Sequence, residues 1–129
     1  MQTDWIKLKR FIIPWVIMIG EKRFPLNMNH YRNAHYMVMN KAKIIFKNIM
    51  GPPCLPEQNK IMLKYTIVRK GKKRFDTMNI ISVVDKFFSD YLCESGVVSD
   101  DNCDKVYYDR IEIIPGDDNY IICEIFTTE

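Results

Sequence analysis

Apolar positions along the chain fall into blocks of two different periods. Phe11 to Ile19 is an almost unbroken β-branched and aromatic run between Lys9-Arg10 and Gly20, which predicts a buried strand with Pro14 at an edge or near its start. Residues 21–36 break the pattern with Pro25 and three asparagines and read as a polar loop. From about Tyr31 to Met50, Ala34, Met37, Val38, Ala42, Ile45, Phe46 and Ile49 recur at intervals of three and four, the mark of one face of an amphipathic helix. Gly51-Pro52-Pro53 is the kind of sequence that stops a helix. Ile61 to Arg69 has strand composition. A second helix is predicted from about Asn79 to Glu94, where Ile80, Val83, Val84, Phe87, Phe88, Tyr91 and Leu92 follow the helical period and Ser95-Gly96 supplies the stop. Lys105 to Ile114 and Tyr120 to Thr127 predict two strands joined by PGDDN in a hairpin-type turn. The order β-α-β-α-β-β predicts an α+β fold: a small mixed sheet of about four strands with two helices, in a single domain over residues 1–129. There is no internal repeat, linker or low-complexity tract.

Composition fits that picture. The 129 residues are 47% apolar and 27% charged, the balance of a soluble globule rather than a disordered segment. A domain of this size buries only about two thirds of the surface its unfolded chain exposes, so self-association would supplement its core. The longest apolar run is interrupted by Pro14 and is far shorter than a membrane span, and no signal peptide is evident. Cys54, Cys93, Cys103 and Cys123 are widely spaced, with no C-x-x-C pair and no histidine at zinc-ligand spacing. The expectation is a reduced cytoplasmic protein with free, mostly buried thiols.

The net charge of +3 is small but unevenly placed. Arg69 to Arg74 reads RKGKKR and Ser99 to Asp104 reads SDDNCD. Separate basic and acidic clusters suit a protein that attracts a polyanion and holds a divalent cation; taken singly, each is also what a solvated loop carries. Asp76 lies just before the second predicted helix and Asp100-Asp101 just after it. Opposite ends of such a helix are about 24 Å apart, so a shared site requires the chain after Gly96 to fold back or a second subunit to contribute. An Asp in that position is equally a helix N-cap. His30 and His35 fit surface or capping roles better than a general base, and Trp5 and Trp15 fit the core better than base stacking.

Three segments carry a resemblance: D76-T-M-N79, K86-F-F-S-D90-Y-L92 and G96-V-V-S-D100-D101, preceded by the basic strand tail. Together they resemble the signature of the RusA family of Holliday junction resolvases, especially its phage-encoded members. The motif block covers Arg69 to about Val106, and the likeness extends over most of the chain. Two departures stand out. The family commonly reads D-x-D-N, and Met78 occupies the place of the second Asp; a thioether does not replace a carboxylate towards a hard cation. Lys86 also lies one helical turn further from Asn79 than in the type member, and an insertion of four residues turns the helix by about 400°, which keeps the lysine on the same face.

The resemblance implies a homodimeric, metal-dependent, structure-selective endonuclease acting on branched DNA in recombination or repair, in a bacterial host of a phage or prophage. It implies Asp76, Lys86 and Asp101 as catalytic residues and Asp76, Asp100 and Asp101, with Asp90 in place of the ligand missing at Met78, as ligands of Mg²⁺ or Mn²⁺. Asp90 can equally be an i+4 partner of Lys86 on the helix surface. Arg69, Lys70, Lys72, Lys73 and Arg74 would grip the phosphates. The alternative is a catalytically weakened or inactive relative that keeps the junction-binding surface and has lost turnover through Met78.

Overall fold

A computed structural model describes residues 4–128. In chain order its elements are β1 (Trp5–Pro14), β2 (Val16–Ile19), β3 (Lys22–Pro25), α1 (Met28–Asn33), α2 (Tyr36–Met50), β4 (Ile61–Arg69), α3 (Thr77–Glu94), β5 (Val106–Tyr108), β6 (Glu112–Pro115) and β7 (Tyr120–Thr128). The architecture is α+β, with helices packed on a mixed sheet. β4 is its centre: one edge pairs antiparallel with β7, which in turn pairs with β1, and the other edge pairs parallel with β5 at its start and β6 at its end. Ile61, Leu63, Tyr65 and Ile67 of β4 are buried. A strand so enclosed must have partners on both sides for its backbone N–H and C=O groups.

The face of the sheet formed by Phe11, Ile13, Leu63, Tyr65, Ile67, Ile121, Cys123 and Ile125 receives α3. All seven apolar residues expected on the α3 stripe are buried, each contributing roughly 1.5–3 kcal/mol for a fully buried large side chain. α2 buries only Ala42 and Phe46 fully, the latter edge-on to Phe87 at 5.5 Å, while Met39, Ile45 and Met50 pack against the core half-buried. Polar links supplement this thin contact: Lys43 pairs with Asp90 at 3.3 Å, Lys47 pairs with Glu94, and the Tyr91 hydroxyl donates to the Gly51 carbonyl at 2.5 Å.

Three stretches depart from the sequence reading. The first strand starts at Trp5 and ends at Pro14; a bend at Trp15 then separates it from a two-stranded ribbon, β2–β3, that is not part of the main sheet. Pro14 has no N–H to extend the ladder, and the Trp15 carbonyl accepts from Leu26 N–H at 2.8 Å, turning the chain into the ribbon. The region expected to be loop and then one helix holds β3, α1 and α2. Ala34 and His35 are extended, and each helix has its own cap: Asn27 accepts from His30 N–H at 2.9 Å and His35 Nδ1 from Met37 N–H at 3.2 Å.

The expected C-terminal hairpin is replaced by a crossing. β6 and β7 lie on opposite edges of β4, and the PGDDN segment passes around the end of that strand. There Gly116 N–H donates to Arg69 O at 3.0 Å, and Asn119 Oδ1 accepts from Lys70 N–H at 2.8 Å. A Cβ on residue 116 would stand 2.3 Å from Val68 Cγ1, so only glycine allows this approach. The four cysteines are free, as expected, but only Cys123 is buried and Cys93 half-buried, whereas Cys54 and Cys103 are exposed. Among the described residues no helix is long and apolar enough to cross a membrane.

Candidate nucleic-acid interface

Between β4 and α3 the chain makes a short basic loop. Gly71, at φ +78°, supplies its left-handed turn, and Arg69 Nη1 donates across it to the Lys73 carbonyl at 3.4 Å. The loop ends at Asp76, the N-cap of α3, whose Oδ1 accepts from Met78 N–H at 3.0 Å and Asn79 N–H at 3.3 Å. A cavity of about 390 Å³ opens here. It is lined by Arg69, Lys70, Lys73, Arg74, Asp76 and Asn79 of the loop and helix start together with Trp15, Asn27 and Asn119. Phe75 lies edge-to-face with Trp15, ring centroids 5.1 Å apart, and the Arg69 guanidinium stands 5.8 Å from the Phe75 centroid.

Elsewhere among the described residues Lys7, Lys43, Lys47, Lys64 and Arg110 have carboxylate partners, and the remaining cations are scattered singly or in pairs along the chain. Among the described residues Arg69, Lys70, Lys72, Lys73 and Arg74 have none within 4.0 Å. Five uncompensated charges on six consecutive positions make a local positive field suited to a polyanion.

A second cavity, about 410 Å³, lies along the flank of α3, lined by Met78, Ser82, Asp85 and Lys86 of the helix with Tyr65, Tyr108 and Asp109. Asp85 joins these elements. Its Oδ1 accepts from the Tyr65 hydroxyl at 2.6 Å and the Ser89 hydroxyl at 3.3 Å, and its Oδ2 from the Tyr108 hydroxyl at 2.8 Å. Burial, followed by the nearby Cys123 and Asp85, pushes the Tyr65 phenol well above its ordinary value. Burial and then Asp85 push Tyr108 up as well, with a smaller contribution from the Asp101 charge. Both phenols therefore remain donors at neutral pH.

The sequence reading did not single out Asp85. A signal existed: Met78, Ser82 and Asp85 are spaced i, i+4, i+7 and share a helix face, so a carboxylate two turns on faces the cavity that Met78 lines. Its partners on β4 and β5 come from tertiary pairing and leave no local mark.

The carboxylates expected to share a metal ion are distributed as follows. α3 has 18 residues, so about 27 Å of helix separates Asp76 from the chain that leads to Asp100 and Asp101. That chain turns back at once: Val97 N–H donates to the Leu92 carbonyl at 3.0 Å, and by Lys105 it has reached the start of β4, where its carbonyl accepts from Ile61 N–H at 2.8 Å. Asp101 is exposed and lines neither cavity. Asp100 is engaged within its own loop, accepting from Asp101 N–H at 2.7 Å and Asn102 Nδ2 at 3.2 Å. Asp90 faces Lys43 of α2 rather than Lys86, whose Nζ stands 5.7 Å from the Tyr31 ring centroid.

Among the described residues no group of three or more His, Cys, Asp or Glu side chains could hold a metal ion. A hard cation such as Mg²⁺ needs several oxygens in near-octahedral array at about 2.0–2.1 Å. Within one chain Asp76, Asp90, Asp100 and Asp101 form no such group. What the chain does bring together is Asp76 with the basic loop, and Asp85 with Lys86 along the second cavity. No family model matches the sequence, and no curated protein matches it.

Proposed function

We propose that this chain binds branched DNA, gripping the phosphate backbone with Arg69, Lys70, Lys72, Lys73 and Arg74, in the manner of a resolvase-type junction-binding protein. The observation that carries the reading is the uncompensated basic loop, set at the rim of a cavity whose wall includes Asp76. Phosphate contacts supply most of the affinity of such proteins and leave sequence unread, so recognition here rests on DNA shape and charge. The resemblance to RusA-type resolvases supports branched rather than linear DNA, a homodimer, and a setting in the reduced interior of a bacterial cell carrying a phage or prophage.

Metal-dependent cleavage, with Asp76, Lys86 and Asp101 as its catalytic residues, is the second reading. It is favoured by Asp76 lying in the wall of the cavity that the phosphate-binding cations surround. Because the carboxylates of one chain form no metal-sized group among the described residues, this reading has a second copy of the chain complete the acidic site.

Incubating the purified protein with a labelled four-way junction over a salt series, with and without Mg²⁺ or Mn²⁺, tests both. Junction affinity is expected to fall steeply with salt, by a log–log slope of about 0.9 per phosphate contacted. Joint replacement of Lys72 and Lys73 by alanine lowers that slope by about 2. An unaltered slope would place the DNA elsewhere. Metal-dependent nicks that Asp101→Asn abolishes establish the endonuclease, and binding without nicks establishes the binding protein.

A further inference from the structure

The cavity beside the basic loop is furnished almost entirely with donors. Asn27, Asn79 and Asn119 line it, and each has its Oδ1 committed to a backbone N–H: those of His30 (2.9 Å), Met28 (3.0 Å) and Lys70 (2.8 Å) respectively. Each is left, among the described residues, with an amide nitrogen that has no acceptor. The Trp15 indole Nε1 is buried and likewise has no acceptor among the described residues. Asp76 is the one acid in the lining, and one of its oxygens is taken by the first turn of α3.

A site built of four cations, three amide donors and an indole N–H calls for a ligand rich in acceptors. The Trp15–Phe75 pair adds an aromatic wall. At about 390 Å³ the space falls in the range of roughly 300–1,000 Å³ that holds one small molecule, and it is far too small for a duplex.

We infer that this cavity takes one unpaired nucleotide of the bound DNA, with its base against Trp15 and Phe75 and its phosphates on the basic loop. Base carbonyls and ring nitrogens meet the asparagine amides, and one of them supplies the acceptor that the Trp15 Nε1 lacks. The inference rests on the DNA-binding reading above and adds that the protein selects DNA in which a nucleotide is free to leave the stack, as at a branch point or a bulge. Leaving the stack costs least where pairing is already broken.

The test compares three duplexes of one length at fixed salt by fluorescence anisotropy: fully paired, carrying one unpaired nucleotide, and carrying an abasic residue at the same bulge. The unpaired nucleotide is expected to bind roughly 5- to 150-fold tighter than the paired duplex, the range that one base–aromatic stack supplies. Phe75→Ala removes most of this ratio. Trp15→Phe, which retains a ring but lacks the N–H, reduces it by about 2- to 12-fold, the effect of one hydrogen bond. The ratio is the readout, and circular dichroism of each variant checks the fold. A ratio near one, or an abasic bulge bound as tightly as the base, with salt-dependent binding intact, overturns the inference and leaves the DNA-binding reading standing. No salt-dependent binding to any of the three overturns both.

Discussion

Asp85→Ala removes the acceptor on which three elements converge, and the structure allows the cost to be worked out group by group. Tyr65 is 2% exposed, so its hydroxyl would lose a 2.6 Å bond to a carboxylate and be left without a partner, at about 1–3 kcal/mol. The Ser89 hydroxyl, also buried, can turn back to the carbonyl four residues earlier and loses little. Tyr108 is 52% exposed and its hydroxyl regains water, so its bond contributes only the net value of about 0.5–1.5 kcal/mol. The expected loss is therefore about 2–4 kcal/mol, read as a lower urea midpoint at unchanged slope. Tyr65→Phe alone leaves Asp85 two other donors and should cost about 1 kcal/mol. The double variant, having no stranded hydroxyl, should be less destabilised than the sum, with a coupling of about 1–2 kcal/mol. A loss below about 0.5 kcal/mol for Asp85→Ala, or strict additivity in the double variant, would refute the view that this carboxylate holds the flank of α3 to the sheet.

Two further outcomes follow from the fold. Gly116→Ala drives a methyl against Val68, which is fixed in the central strand; overpacking of this kind costs about 1–3 kcal/mol, or a fall of roughly 3–15 °C in melting temperature for a chain of this size, and an unchanged melting curve would contradict the close approach. Raising the pH above about 10 should destabilise the fold, because unfolded tyrosines release protons there that Tyr65 and Tyr108, with raised values, retain when folded; stability is whole below that point and is lost as pH climbs. Phenolate absorbance of the native protein should lag that of the urea-unfolded chain, and coincident titrations would count against the burial of these hydroxyls.

How much could be read from the amino acids depended on whether the relevant interaction was local. α3 was legible because seven apolar residues recur at helical spacing between an Asp cap and a Ser-Gly stop, and β4 because its composition suits a strand enclosed on both edges. The divisions at Trp15 and at Ala34-His35 were not, since each depends on a cap or carbonyl partner tens of ångströms of chain away or on side-chain geometry that periodicity does not register. The parallel pairing of β6 with β4 defeated a hairpin reading because PGDDN has hairpin composition whichever edge of the sheet its flanking strands join. The same division holds at the site. The basic loop and Asp76 are contiguous and were identified together. Asp85, Tyr65 and Tyr108 meet only after the sheet forms.

The turn that wraps the end of β4 has a kinetic consequence. It clamps the Arg69 carbonyl and the Lys70 amide, while Asp76 fastens the other end of the loop to α3. The cationic side chains thus swing from a stalk held at both ends. Docking a strand freezes rotamers, at about 0.5–1.5 kcal/mol per long side chain, and leaves the main chain where it was. An encounter steered by charge can then become a seated complex without waiting for a segment to fold, so association should run at the fast, salt-sensitive limit rather than at the pace of a conformational rearrangement.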